Sequence, residues 1–206
     1  MNDPSRQHHW EKVYTTKGES EVSWFQETPA LSLELIALAG AMPNSAIIDI
    51  GGGASRLVDH LVSRGFQDLT VLDLSAAALA SARSRIGAKA DRVTWITADV
   101  TLWQPSRTYD VWHDRAVFHF LTEAGQRRAY VESVKKALTA GGSLIVSTFG
   151  PTGPERCSGL AAMRYDASTL GGELGDRFRL VDSSLDLHET PSGAVQQFLS
   201  CWYRFR

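Results

Sequence analysis

The chain has 206 residues, enough for about one domain with a real core. Its formal charge of -2 gives no general basic bias towards nucleic acid or anionic membrane. Two cysteines, Cys157 and Cys201, make neither a disulfide framework nor a metal-spaced pair, so a reducing, cytoplasmic compartment is expected. The polar opening MNDPSRQHHW has no apolar run of the kind a secretory signal needs, and no stretch approaches the roughly 18 apolar residues of a membrane span.

Residues 1–9 are expected to form a loose tail, with His8 and His9 on the surface. Trp10, Tyr14, Trp24 and Phe25 then make the next stretch unusually aromatic, suited to packing against a domain or covering a pocket. A helix follows with Leu31, Leu35 and Leu38 on one face and Pro29 in its first turn. Segment 1–40 therefore reads as a tail and covering segment, and 41–206 as one domain.

From residue 46 the pattern alternates. AIIDI (46–50) is a short, almost wholly apolar strand, as expected in the middle of a parallel sheet. A helix striped by Leu57, Val58, Leu61 and Val62 ends near Gly65. Strand 69–73, a helix from Ser75 with Leu79, Ala82 and Ile86, strand 93–97 and strand 109–113 come next. Thr122 is a plausible N-cap for a helix that buries Tyr130, Val134, Ala137 and Leu138, and Gly141–Gly142 separates it from strand 143–149. Residues 165–171 suit a last crossover helix. Residues 178–187 and 195–206 read as two strands across a Pro191–Ser192–Gly193 turn, an antiparallel hairpin. The fold class is α/β, a Rossmann-like doubly wound sheet with a C-terminal antiparallel hairpin.

The strongest constellation is Asp49-Ile50-Gly51-Gly52-Gly53, followed 20 residues later by Asp73. A strand that turns sharply into a helix while a cofactor approaches its backbone needs residues without a Cβ. Asp73 ends the second strand, where a carboxylate can accept both hydroxyls of a ribose. Asp99 ends the third, where a polar side chain can meet an adenine amino group. All three acids fall on the ligand-binding edge of such sheets. A dinucleotide fingerprint wants a third glycine where this chain has Arg56, and Asp49 would repel a phosphate but suits the ammonium of an amino acid. These features favour a methyl donor with an amino-acid moiety over a dinucleotide, which stays the alternative.

The DIGGG turn, the LD at 72–73, the AD at 98–99 and the terminal hairpin resemble the class I S-adenosylmethionine-dependent methyltransferases over residues 45–206. That resemblance implies a seven-stranded sheet with its last strand antiparallel. It also implies S-adenosyl-L-methionine as cofactor, with Gly51 and Gly53 at its methionine part behind Asp49. Asp73 with Leu74 would lie at the ribose, Asp99 with Val100 at the adenine, and Trp24 over the pocket. Where many members carry a third alternate glycine this chain has Ser55. Shorter likenesses disagree on substrate. Trp10-x-x-x-Tyr14 and Trp24-Phe25 are similar to the opening segment of seven-strand protein-lysine methyltransferases. Residues 112–116 are similar to the thiopurine methyltransferase group, and Gly153–Leu160 with Arg164-Tyr165 to small bacterial methyltransferases of unassigned substrate.

An acceptor is expected at the end of strand four and in the loop after strand five. Asp114, His113 and His119 are the candidate general bases or orienting groups there, the two histidines each with a plain packing role as the alternative. Arg115, Cys157 and Arg164 are the candidate acceptor-binding residues, and His188 is expected to face solvent or a neighbour. No His or Cys pair has metal-ligand spacing, so no metal is expected. No basic run is interleaved with aromatics, and no Asn-Pro-Pro-Tyr-like tetrapeptide follows strand four, so nucleic acid is a minor reading. The expected activity is methyl transfer to a nucleophile, on a small molecule for want of a docking insertion. A protein lysine is the first alternative and a non-catalytic donor-binding partner protein the second. Nothing in the sequence specifies an oligomeric state.

Overall fold

The computed structural model describes residues 4–206. Five strands run parallel: β1 (Ala46–Ile50), β2 (Asp68–Asp73), β3 (Val93–Thr97), β4 (Tyr109–Arg115) and β5 (Leu138–Phe149). A two-residue hairpin, β6 (Arg156–Cys157) and β7 (Leu160–Ala161), stands apart from the sheet. The last strands, β8 (Phe178–Glu189) and β9 (Val195–Phe205), pair antiparallel, and β9 also pairs antiparallel with β5. The sheet order is β3-β2-β1-β4-β5-β9-β8, seven strands with the last in sequence running against its neighbours. Among the described residues six α-helices accompany them: α1 (Pro4–Thr16), α2 (Ala30–Leu38), α3 (Leu57–Ser63), α4 (Ala76–Ile86), α5 (Ala124–Ala137) and α6 (Ala167–Leu174). None is long and apolar enough to cross a membrane.

The period of two in the strands builds a core on each face. Ile48, Ile50, Trp112, Leu144 and Val146 pack with Tyr130 and Val134 of α5. Ile47, Val71, Val111 and Ile145 pack on the other face, against Leu33, Ile36, Leu57 and Leu61 of α2 and α3. A third, smaller cluster of Phe120, Phe149, Cys157 and Phe198 caps the carboxyl end of the sheet.

Several local expectations are corrected. Residues 4–9, expected as loose tail, belong to α1, and residues 1–3 lie outside the described chain. Helix α1 is anchored because Glu11 accepts from Ser75 Oγ at 2.7 Å and from the Ala77 amide at 3.2 Å. An acid thus sits on the positive end of α4. In α2 the buried face is Ser32, Leu33, Leu35 and Ile36, whereas Leu38 is 56% exposed. Glu123, not Thr122, precedes α5, with Gln126 reaching back to its amide. Helix α6 starts two residues later than expected because the Tyr165 amide is tied to Phe149 O at 2.9 Å and Asp166 caps the Thr169 amide at 2.8 Å. His188, expected to face solvent or a neighbour, faces a neighbour: it is buried, and its Nε2 donates to Ser23 O at 2.7 Å, clamping the aromatic segment onto β8.

Candidate functional site

The glycine turn after β1 is built without room for side chains. Gly51 has φ +64°, and a Cβ there would stand 2.1 Å from Val117 Cγ2. A Cβ on Gly53, at φ +38°, would stand 2.7 Å from the Asp73 carboxylate and 3.2 Å from the Tyr14 hydroxyl. Gly53 lets the backbone pass directly beneath Asp73, and Gly52, where a Cβ would stand 2.6 Å from Asp49 Oδ2, lets it pass beneath Asp49.

Two clefts open over this turn. The first, about 670 Å³ including its open mouth, is bordered by Asp73, Leu74, Asp99 and Val100 on the sheet edge. Trp10, Tyr14, Trp24 and Phe120 stand on its outer side, and Cys157 also reaches it. The second, about 510 Å³, is bordered by Asp49, Gly52, Ser55 and His113 under residues 22–26. Tyr14, Trp24, Gly51 and Arg115 line both, so the clefts meet there. The roof of the second is pinned by charge: Glu19 meets Arg56 at 2.7 Å and Arg85 at 2.6 Å, and Glu27 also pairs with Arg56. Edge-to-face ring contacts, Trp10–Trp24 (5.5 Å) and Trp10–Phe120 (5.1 Å), border the first.

Asp73 is buried, accepts the Ser75 amide at 2.8 Å and has no ion-pair partner among the described residues. Burial, with Asp49 and Glu11 nearby, pushes its carboxyl up to about 7 against the pull of the Ser75 amide. Asp99 accepts the Thr101 amide and hydroxyl on Oδ1, at 2.9 and 2.7 Å, which fixes the turn after β3.

Strand register explains the other acids. Asp49 of β1 lies directly beside His113 of β4. Both point to the same face, so His113 Nδ1 meets Asp49 Oδ1 at 2.7 Å while Nε2 meets Ser32 Oγ at 2.9 Å. His113 therefore borders the second cleft with both ring nitrogens engaged. Asp114, the next residue, points to the opposite face. Its Oδ1 accepts the Val117 amide at 2.9 Å, and its Oδ2 accepts the Phe118 amide at 3.1 Å and the Tyr130 hydroxyl at 2.6 Å. Burial pushes Asp114 up to about 6, against these donors. It borders neither cleft, which corrects its expected placement: on β4 the side chains of His113 and Asp114 leave the strand on opposite faces, and only His113 reaches a cleft.

His119 is also corrected. It is buried, stacked on Phe149 at 4.3 Å, and its Nδ1 accepts the Phe149 amide at 3.2 Å. Burial and the charge of Arg115 push it down to about 3, so it is neutral and borders neither cleft. Arg164 is corrected too: it pairs with Glu155 at 2.9 Å on the surface, with its side chain 40% exposed. Arg115 and Cys157 do reach the first cleft. Burial raises the Cys157 thiol above its usual range and lowers Arg115 to about 10. Sequence reasoning missed Arg6, Glu11, Ser32, Val117 and Phe120. The aromatic Phe118–Phe120 turn was the signal for the last, and Ser32 carried none.

Residues 48–144 match the family described as "Methyltransferase domain". The chain is 29% identical over 117 residues to malonyl-[acyl-carrier protein] O-methyltransferase of Paenibacillus sp. (strain JDR-2), covering 54% of this chain and 41% of that protein. It is 26% identical over 110 residues to the eEF1A lysine and N-terminal methyltransferase of Mus musculus, covering 52% of this chain and 15% of that protein. The chain thus spans less than half the length of these curated relatives. Among solved structures, N-methyltransferase NodS from Bradyrhizobium japonicum WM9, in complex with S-adenosyl-L-homocysteine, superimposes with a TM-score of 0.72 at 17% identity. That match covers 97% of this chain and 98% of NodS and shows a shared fold. Residues 48–144 are thus similar to a methyltransferase domain, and the chain shares the fold of NodS.

Proposed function

We propose that this chain transfers a methyl group from S-adenosylmethionine to a nucleophile on a small molecule. The observation that carries this reading is the buried Asp73 carboxylate, without a cation partner, above a glycine turn in which a Cβ would strike it. Such a cradle fits the donor. Asp73 with Leu74 would accept the ribose hydroxyls, and Asp99 with Val100 would border the adenine. Gly51 and Gly53 would leave room for the methionine part. Asp49, oriented by His113, would meet its ammonium. When bound, S-adenosylmethionine supplies an electrophilic methyl on a sulfonium.

The chain's own contribution is orientation and exclusion of water. Trp10, Tyr14, Trp24 and Phe120 wall the first cleft with rings. None of the three expected base candidates stands free in it: His113 is held between Asp49 and Ser32, His119 is neutral and stacked, and Asp114 faces the core. The acceptor would therefore arrive already deprotonated.

A protein lysine is the competing acceptor, favoured by the mouse relative. Calorimetry with S-adenosylhomocysteine and NAD tests the donor: tight NAD binding without response to the former would end this reading. Labelled methyl donor offered to small acids and thiols beside cell-extract protein tests the acceptor. Label confined to a discrete protein band would replace the small molecule by a protein. Donor binding without turnover on either would leave a binding partner rather than an enzyme.

A further inference from the structure

Arg115 has chemistry that the donor site does not use. It stands where the two clefts meet, half-buried, at the last position of β4. Among the described residues its guanidinium makes one hydrogen bond, Nη1 to Trp24 O at 2.9 Å, and no ion pair. Its flat face rests 5.0 Å over the Phe198 ring. Asp186 and Asp49 act on it only from a distance, and Asp186 Oδ1 is itself buried without a partner. By contrast Arg85, in a comparably covered place, reaches both Asp59 and Glu19 at 2.6 Å.

The backbone holds Arg115 there. Ala116 takes a left-handed conformation, φ +73°, unusual for a residue with a Cβ. The turn is held because Asp114 captures the amides of Val117 and Phe118 while the Ala116 amide donates to Ser147 O at 2.9 Å. Strain kept by surrounding bonds is a mark of functional turns. The cleft that Arg115 borders is lined on this side by Trp10, Trp24, Val117 and Phe120, with Arg6, Tyr14 and Cys157 as its other polar members away from Asp73 and Asp99. A planar cation with several free donors in such surroundings matches a carboxylate two bonds at a time. It repels a protonated amine.

We propose that Arg115 binds the carboxylate of a methyl acceptor whose body is an apolar ring lodged against Trp10, Trp24 and Phe120. This rests on the methyl-transfer reading and selects, within it, a small organic acid over a lysine side chain.

The test uses the tryptophans beside the site as reporters. Benzoate, benzamide and benzylamine are titrated by fluorescence into the protein, free and saturated with S-adenosylhomocysteine. Benzoate is expected to bind at least about ten-fold tighter than benzamide, with benzylamine weakest and with added salt weakening benzoate alone. Arg115→Gln should abolish the preference, and Arg115→Lys should keep part of it. Equal binding of benzoate and benzamide, a preference for benzylamine, no benzoate binding, or an unchanged preference in Arg115→Gln would each overturn the proposal. So would a loss of S-adenosylhomocysteine affinity in Arg115→Gln with benzoate binding intact, which would assign the guanidinium to the donor's own carboxylate. If Arg115→Gln does not fold, the wild-type discrimination and Arg115→Lys decide. Calorimetric binding of S-adenosylhomocysteine without benzoate preference sinks only this proposal. Absence of that binding sinks the donor reading and leaves the free protein's benzoate preference to speak for the anion site.

Discussion

The carboxyl ends of β1 and β2 and the carboxyl end of β4 both present acids at the same sheet edge, yet they do different things. Asp49 and Asp73 border the clefts beside glycines that make room for them. Asp114 turns inward and ties the 117–118 amides and Tyr130 to the core. Position at a strand end therefore does not bring a carboxylate to a cleft. The face on which the strand's period of two leaves it does.

The widest separation between these regions should come from Asp73→Ala. With the proposed ribose acceptor gone, S-adenosylhomocysteine affinity should fall by on the order of 100-fold, about 3 kcal/mol, in calorimetry. Undiminished affinity would break the comparison, because Asp73 would then be a structural acid like Asp114. Next comes Gly51→Ala. A Cβ 2.1 Å from Val117 Cγ2 on a left-handed backbone should cost roughly 2–3 kcal/mol of stability, read as a lower urea midpoint.

Asp114→Asn should destabilise by about 1–3 kcal/mol, since an amide cannot accept on both sides, while the folded variant keeps its donor affinity. A variant of normal stability that binds the donor and has lost turnover would restore Asp114 to the site.

The two acids share one pH signature. Asp73 is lifted to about 7 and Asp114 to about 6, from an ordinary value of 3.8. The folded state therefore holds protons that the unfolded chain releases. Their contribution to stability is complete below about pH 4 and is lost as pH rises towards about 7. Urea unfolding of the donor-free protein should show this decline. Asp73→Asn should flatten the part nearest neutrality, and a decline unaltered by that change would show that Asp73 is not its source. The smallest effect is expected from Arg164→Ala. Its exposed pair with Glu155 should contribute less than about 1 kcal/mol, and donor affinity should not change. A clear loss of acceptor turnover would bring the 155–164 loop into the site.

Much of the proposed donor side was legible because its signals are local. The apolar run 46–50, the glycines behind it and the acids at 73 and 99 depend on hydrophobic period and on dihedrals only glycine accepts freely. Strand and helix order through β5, and the final hairpin, follow from the same periods. The proposed acceptor side was harder to read. Arg6, Trp10, Trp24, Arg115, Phe120 and Cys157 come from separate stretches of the chain, and only folding gathers them around one cleft.

The sequence by itself determined the alternation of strands and helices, the cramped turn after β1 and the acids flanking it. Each of these is a demand that a few neighbouring residues make on their own backbone. Tertiary structure alone decided that Asp49 would lie beside His113, that Asp114 would face Tyr130, and that Arg115 would stand among aromatic rings. Those outcomes depend on strand register and on where β4 ends, and both are set by packing between segments far apart in the chain.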